Sequence, residues 1–289
     1  MASNATVVDC ETMFQTVGPL FSPTQDSDGN LFAVSTNGDV YQVTEQGQME
    51  TAFSTGGQPT GLVFDSQGSS FIADLSHQAV LSQTVTDNRI EIIPVIKDFD
   101  GSALKGPNSM VLSEKNNSLF FTDSGPMGES SLESATGSLF VIDLGVSMLK
   151  PILFGCLAHP SGLVMNSAQN ILYVAETLKN RILRVLVHTS GIYHTSVFHQ
   201  FSGRLGPTAL AMNARGQLFV ARFDYQEATK HGLITVLNEE GEVLDDLCVN
   251  DCPELTGLWF SNIQNKKDTL YATESSTNSF LQINTTKEE

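Results

Sequence analysis

Six times along the chain an apolar residue is followed by an aromatic, two small or apolar residues and a polar one. The copies are Leu31-Phe32-Ala33-Val34-Ser35, Ser70-Phe71-Ile72-Ala73-Asp74, Leu119-Phe120-Phe121-Thr122-Asp123, Leu172-Tyr173-Val174-Ala175-Glu176, Leu218-Phe219-Val220-Ala221-Arg222 and Leu270-Tyr271-Ala272-Thr273-Glu274. Ser70 alone breaks the apolar opening. The aromatics stand 39, 49, 53, 46 and 52 residues apart, a period typical of repeat architectures.

Short apolar segments flank each copy. Ahead of five copies lies a turn of Asp, Asn, Ser or Gly, such as Asp28-Gly29 or Ala214-Arg215-Gly216. Ahead of the turn comes a short strand pattern, for example Gly162-Leu163-Val164-Met165 or Gly257-Leu258-Trp259-Phe260. A third follows the aromatic strand, as in Arg181-Ile182-Leu183-Arg184-Val185, and five units carry a fourth, such as Ile90 to Ile96. Four short strands per unit predict a propeller blade. The chain is therefore read as all-β: one six-bladed β-propeller domain over residues 1–289.

The last unit stops after its third strand, because 284–289 is polar and short. A spare strand pattern, Thr6-Val7-Val8 through Met13-Phe14, precedes the first unit. That segment is expected to supply the outer strand of blade six and close the ring, which removes exposed sheet edges.

Composition narrows the partners. The chain has 32 acidic and 15 basic residues, a formal net charge of −17. Such a field repels phosphate backbones and anionic lipid, so nucleic acid and membrane surfaces are not expected partners; it is read as a self-repelling surface, with a basic partner protein as the alternative. Residues 1–10 lack signal-peptide character, and no apolar run reaches membrane-spanning length. Cys10, Cys156, Cys248 and Cys252 match no zinc or redox spacing, so reduced thiols in a cytoplasmic protein are expected. Sequons at Asn4, Asn116 and Asn284 would matter only on a secreted chain.

Candidate chemistry gathers where the inner strands begin, at one mouth of the channel. Pro19, Pro59, Pro107, Pro160 and Pro207 stand just ahead of that ring in five units. The ring residues are then Leu20, Thr60, Asn108, Ser161, Thr208 and Thr256. The second-strand ends Asp74, Asp123, Glu176, Arg222 and Glu274 open on the same face, with the longer loops 124–136 and 223–231. Carboxylates near a channel can hold a divalent cation. Strand-end acids can equally accept from backbone N–H groups, and Glu176 can pair with Lys179 or Arg181. Ser161 and His159 are a candidate nucleophile and base, and Lys105 and Arg204 candidate anion holders.

These segments resemble the six-bladed superfamily that holds regucalcin, gluconolactonase and the strictosidine synthase-like proteins. The resemblance rests on Gly106-Pro107-Asn108, Leu119 to Ser124, Gly137 to Asp143, His159-Pro160-Ser161-Gly162-Leu163 and Tyr173-Val174-Ala175-Glu176-Thr177 with Asn180-Arg181-Ile182. It implies a calcium at the channel mouth, held by one Glu, two Asn and one Asp, that polarises a lactone or phosphoryl oxygen. Position by position only Asn108 is retained. Ser161 stands for the second Asn, Thr208 for the Asp, and Val17 or Leu20 for the Glu. Where one subfamily has a His after the last Thr-Glu, this chain has Ser275.

A ring of Leu, Thr, Asn, Ser, Thr and Thr offers calcium neutral oxygens without formal charge, so no cofactor is expected, with calcium as the alternative. The first reading is a degenerate family member, a pseudoenzyme whose channel binds a small polar ligand or whose faces dock a protein. The alternative is a lactonase or aryl-esterase with a relocated or metal-free site, and a third is a structural part of a larger assembly. Fold alone does not choose among them.

Overall fold

Each repeated segment is the second strand of an antiparallel sheet, and the sheets are blades around one channel. The structure, a computed structural model, describes residues 5–44, 48–86, 89–188, 190–227, 229–261 and 269–285; the Asn4 sequon lies outside them. From the channel outwards, blade one is Leu20–Gln25, Leu31–Ser35, Asp39–Val43 and Met49–Ser54. Blade two is Pro59–Phe64, Ser70–Asp74, Ala79–Thr86 and Arg89–Ile96. Blade three is Pro107–Ser113, Ser118–Asp123, Gly137–Asp143 and Met148–Leu157, and blade four is Pro160–Met165, Ile171–Glu176, Arg181–Val187 and Tyr193–Gln200. Blade five is Gly206–Met212, Leu218–Phe223, Gly232–Leu237 and Val243–Val249. Blade six has Leu255–Phe260, Thr269–Glu274 and Ser279–Asn284, and Cys10–Gln15 as its outer strand. A small hairpin, Asp98–Phe99 with Ser102–Ala103, links blades two and three. Among the described residues no helix is long and apolar enough to cross a membrane.

The repeated aromatic is explained by where it points. Side chains alternate across a strand, and both faces of each blade are covered by a neighbour. In blade three Phe120 packs with Leu163, Val174 and Val185 of blade four. Its neighbour Phe121 packs with Ala73 and Val80 of blade two. Phe32, Tyr173, Phe219 and Tyr271 likewise face the next blade in the ring. Phe32 meets Phe64 at a ring separation of 4.7 Å and Phe219 meets Phe260 at 4.8 Å. Each such ring contributes roughly 1.5–3 kcal/mol of burial.

Near the mouth the blades approach too closely for ordinary side chains. A Cβ on Gly61 would lie 2.7 Å from the Asn108 carbonyl, and one on Gly162 would lie 2.9 Å from Ala209 Cα. The residue after each ring position is therefore small: Gly61, Ser109, Gly162, Ala209 and Gly257 in blades two to six.

The amino-terminal segment closes blade six but does not do so as one strand. Cys10–Gln15 pairs antiparallel with the last strand, with Cys10 opposite Ile283 and Phe14 opposite Phe280. Thr6–Val8, expected in the same strand, instead runs parallel to the outer strand of blade five, with Val7 opposite Cys248. The buried Val8 draws it there, joining Leu247 and Val249 in the core between blades five and six. All four cysteines are free thiols.

Candidate functional site

The six inner strands enclose a central channel of about 650 Å3. Inner strands have an unpaired edge along the channel, so a proline at their start forfeits no ladder hydrogen bond. Thr60, Asn108, Thr208 and Thr256 line the channel. Two of the expected ring residues do not. Leu20 is fully buried in the core between blades six and one, and Ser161 is buried with its hydroxyl turned to its neighbours.

The ring hydroxyls are largely taken up by the joints between blades. Thr60 Oγ1 donates between the carbonyls of Pro107 (3.2 Å) and Asn108 (3.0 Å). Thr122 Oγ1 donates to the Ser161 carbonyl at 2.9 Å. Ser161 Oγ sits 2.8 Å from Thr177 Oγ1, which donates to the Pro207 carbonyl at 2.8 Å. Thr208 Oγ1 reaches the Leu255 carbonyl at 2.9 Å and Thr256 Oγ1 the Leu20 carbonyl at 2.5 Å. In the remaining joint the Leu62 N–H donates to Ser22 Oγ at 3.0 Å. Every joint thus carries a hydroxyl bonded to the next blade's backbone.

The strand-end charges hold the loop that leads into their own blade. Asp74 accepts from the N–H groups of Gln58 and His77, both at 3.0 Å, and from Thr55 Oγ1 at 2.8 Å. Burial disfavours that carboxylate, but the N–H donors of His77 and Gln58 and the Thr55 hydroxyl outweigh it and hold its pKa below the ordinary value. Asp123 accepts from Lys105 N (3.0 Å) and Gly106 N (2.8 Å); here burial prevails and its pKa is pushed up. Glu176 accepts from Ala158 N at 2.8 Å and pairs with Arg181 at 2.6 Å and Lys179 at 2.9 Å. Glu274 accepts from Glu254 N at 3.0 Å, from Thr277 Oγ1 at 2.6 Å and from the Ser276 hydroxyl. Blade five inverts the polarity: Arg222 donates to the Leu205 carbonyl at 3.1 Å and lies 4.2 Å over the Phe201 ring.

The remaining candidates separate. Ser161 and His159 form no hydrogen-bonded pair; the Nδ1 of His159 is buried without a partner. Burial lowers the His159 pKa to about 4, and φ of +54° holds it in the left-handed region ahead of Pro160. Lys105 pairs with Glu129, and Arg204 with Asp224 and Glu227. Loop 124–136 is tied down: Gly125 N donates to the Gly106 carbonyl and Ser130 Oγ to the Leu157 carbonyl.

The donor set does not fit the calcium that the resemblance implies. Asn108 gives its amide N–H to Ser124 Oγ at 3.1 Å, leaving one carbonyl oxygen. Ser161 and Thr208 are neutral and bonded to the next blade. Leu20 offers nothing, and Val17 is an exposed apolar residue. Among the described residues no three His, Cys, Asp or Glu side chains converge in a metal-holding group.

The family profile described as "SMP-30/Gluconolactonase/LRE-like region" matches residues 22–284. The chain belongs to the SMP-30/gluconolactonase/LRE-like family. Among solved structures, regucalcin from Agrobacterium tumefaciens, described as a calcium-binding protein, is 15% identical, with a TM-score of 0.78 over 99% of this chain and 98% of its own. A gluconolactonase from Xanthomonas campestris is 16% identical, with a TM-score of 0.77 over 96% of this chain and 89% of its own. A chain of a nidogen/laminin complex is 19% identical, with a TM-score of 0.61 over 88% of each chain. A comparison with curated proteins found no match. At these identities the likeness carries the fold alone.

Sequence reasoning placed the carboxylates on the correct strand ends but missed that each joint would use a hydroxyl, from the ring or beside it. It also missed a second cavity, beside Asp123, described below. A signal for that cavity exists in the residue three after each strand-end acid: His77, Pro126, Lys179 and Thr277.

Proposed function

We propose that this member of the SMP-30/gluconolactonase/LRE-like family is a binding propeller rather than a calcium-dependent hydrolase. Its channel takes a small polar ligand, or its faces dock a partner protein. One observation carries the reading: the ring positions present neutral groups whose hydroxyls already bond the adjoining blade, as Thr208 does to Leu255. A hydrolase needs a polarising charge or an activated nucleophile at the mouth, and the strand-end acids face their own lead-in loops instead.

The net charge of −17 favours a basic partner surface over nucleic acid or membrane. Four free thiols support a reducing, cytoplasmic setting.

The test is calorimetry of chelator-treated protein with calcium, run beside assays on a lactone and an aryl ester. The binding reading expects no calcium heat beyond dilution and no turnover above the uncatalysed rate. Micromolar calcium binding with turnover would establish the hydrolase instead. Turnover without calcium binding would establish a metal-free esterase.

A further inference from the structure

The blades themselves provide an internal comparison, and blade three departs from it. In blades two, four and six the residue three after the strand-end acid turns a side-chain donor onto it. His77 Nδ1 lies 3.0 Å from Asp74, Lys179 Nζ lies 2.9 Å from Glu176, and Thr277 Oγ1 lies 2.6 Å from Glu274. In blade three that position is Pro126, which has neither a side-chain donor nor an N–H. Asp123 keeps the two backbone donors of its lead-in loop and receives no side-chain donor among the described residues. A carboxylate offers about four lone-pair sites, so Asp123 is half-satisfied at 3% exposure.

Beside it lies a pocket of about 280 Å3. Asp123 and Lys105 form the charged part of the wall, Ser102, Thr136 and Ser138 add neutral polar groups, and Leu104, Phe99, Phe140 and Phe154 form the apolar part. The three rings cluster, with centroids 5.3 Å apart for Phe99 and Phe154 and 6.0 Å for Phe140 and Phe154. Phe154 remains 62% exposed at the rim of this pocket. The Lys105 ammonium is held by Glu129 at 3.1 Å, so it is paired with a carboxylate other than Asp123.

We propose that this pocket binds a small organic ammonium ion with an apolar body, its charge toward Asp123 and its body against Phe154. The ammonium supplies the donor that His77, Lys179 or Thr277 supplies in the other blades. The phenylalanine faces add cation–π attraction and apolar contact. The site is separate from the channel and does not rest on the binding reading given above.

The experiment uses benzylammonium as probe and benzyl alcohol as its neutral counterpart, each titrated into the whole protein and followed by calorimetry and ligand-observed NMR. Benzylammonium is expected to bind with a millimolar dissociation constant and benzyl alcohol about tenfold more weakly. Phe154→Ala removes an exposed ring and leaves the net charge unchanged, so it separates the pocket from general attraction to an acidic protein. It is expected to weaken benzylammonium about fivefold. Asp123→Asn is expected to equalise the two probes. Equal affinity of both probes for the unaltered protein, no binding of benzylammonium, or binding that Phe154→Ala leaves unchanged would each overturn the proposal.

Discussion

Glu176 and Arg222 occupy the same place in successive blades and grip the same loop with opposite polarity. Glu176 accepts the N–H of Ala158 two residues before Pro160, and Arg222 donates to the carbonyl of Leu205 two residues before Pro207. In blades two to six the side chain at this position bonds the lead-in loop, and either sign of charge makes that bond if the loop turns the matching backbone group.

Arg222→Glu is accordingly not a return to the common pattern. The new carboxylate would face the carbonyls of Leu205 and Ser202, which now accept from the guanidinium. The expected loss is about 3 kcal/mol of unfolding free energy, read from the midpoint of a denaturant transition. A variant as stable as the natural protein would show that the loop can turn over freely.

His159 sets a pH dependence. Its imidazole is buried and stays neutral down to about pH 4, whereas the unfolded chain takes up a proton below its ordinary pKa of 6.5. Its contribution is therefore fully present above that value and lost as pH falls from 6.5 towards 4, by about 3 kcal/mol in all. His159→Asn tolerates the left-handed backbone and removes the titration. Unfolding free energies measured across that range should fall less steeply for the variant; parallel curves would contradict the assignment.

The closing strand and the segment before it should differ in weight. Phe14 stacks on Phe280 at 5.0 Å, so Phe14→Ala is expected to cost about 2–3 kcal/mol. Val7 is 60% exposed on the parallel strand, and Val7→Ser should stay within about 0.5 kcal/mol. Thermal midpoints of the two variants measure the contrast directly.

Calcium should leave the fold indifferent. A ligand that binds only the folded state raises the thermal midpoint in proportion to the logarithm of its concentration over Kd. The midpoint is expected to be flat in millimolar calcium, and Asn108→Ala should not alter that. A rise of several degrees in the natural protein that Asn108→Ala abolishes would restore a metal to the channel mouth.

The blade count was legible because one aromatic per unit faces the next blade, so packing imposes the same residue type at a fixed place in every unit, from Phe32 to Tyr271. Thr6–Val8 was misplaced because an outer strand has one solvent face, and a three-residue pattern does not say which outer strand it will join. The ring was legible as residue types but not as bonds. Thr60 and Thr208 look like ligand donors in sequence, and only the distance to Pro107, Asn108 and Leu255 reveals that they fasten the blades. Asp123 was visible as one strand-end acid among several; its missing donor emerges when Pro126 is set beside His77, Lys179 and Thr277.

The split amino-terminal segment also orders events in time. Thr6 Oγ1 bonds Asp245 across 239 residues, and Cys10–Gln15 pairs with Ser279–Asn284. During synthesis the residues that close the ring emerge early and have no strand to join until blades five and six follow. Blades one to four can stack as each is completed, since their contacts lie with the next unit along the chain. The joint between blades six and one, where Thr256 bonds the Leu20 carbonyl, must wait, unpaired edges and all, so the nascent chain passes through an open ring whose last act of folding unites segments far apart in the sequence.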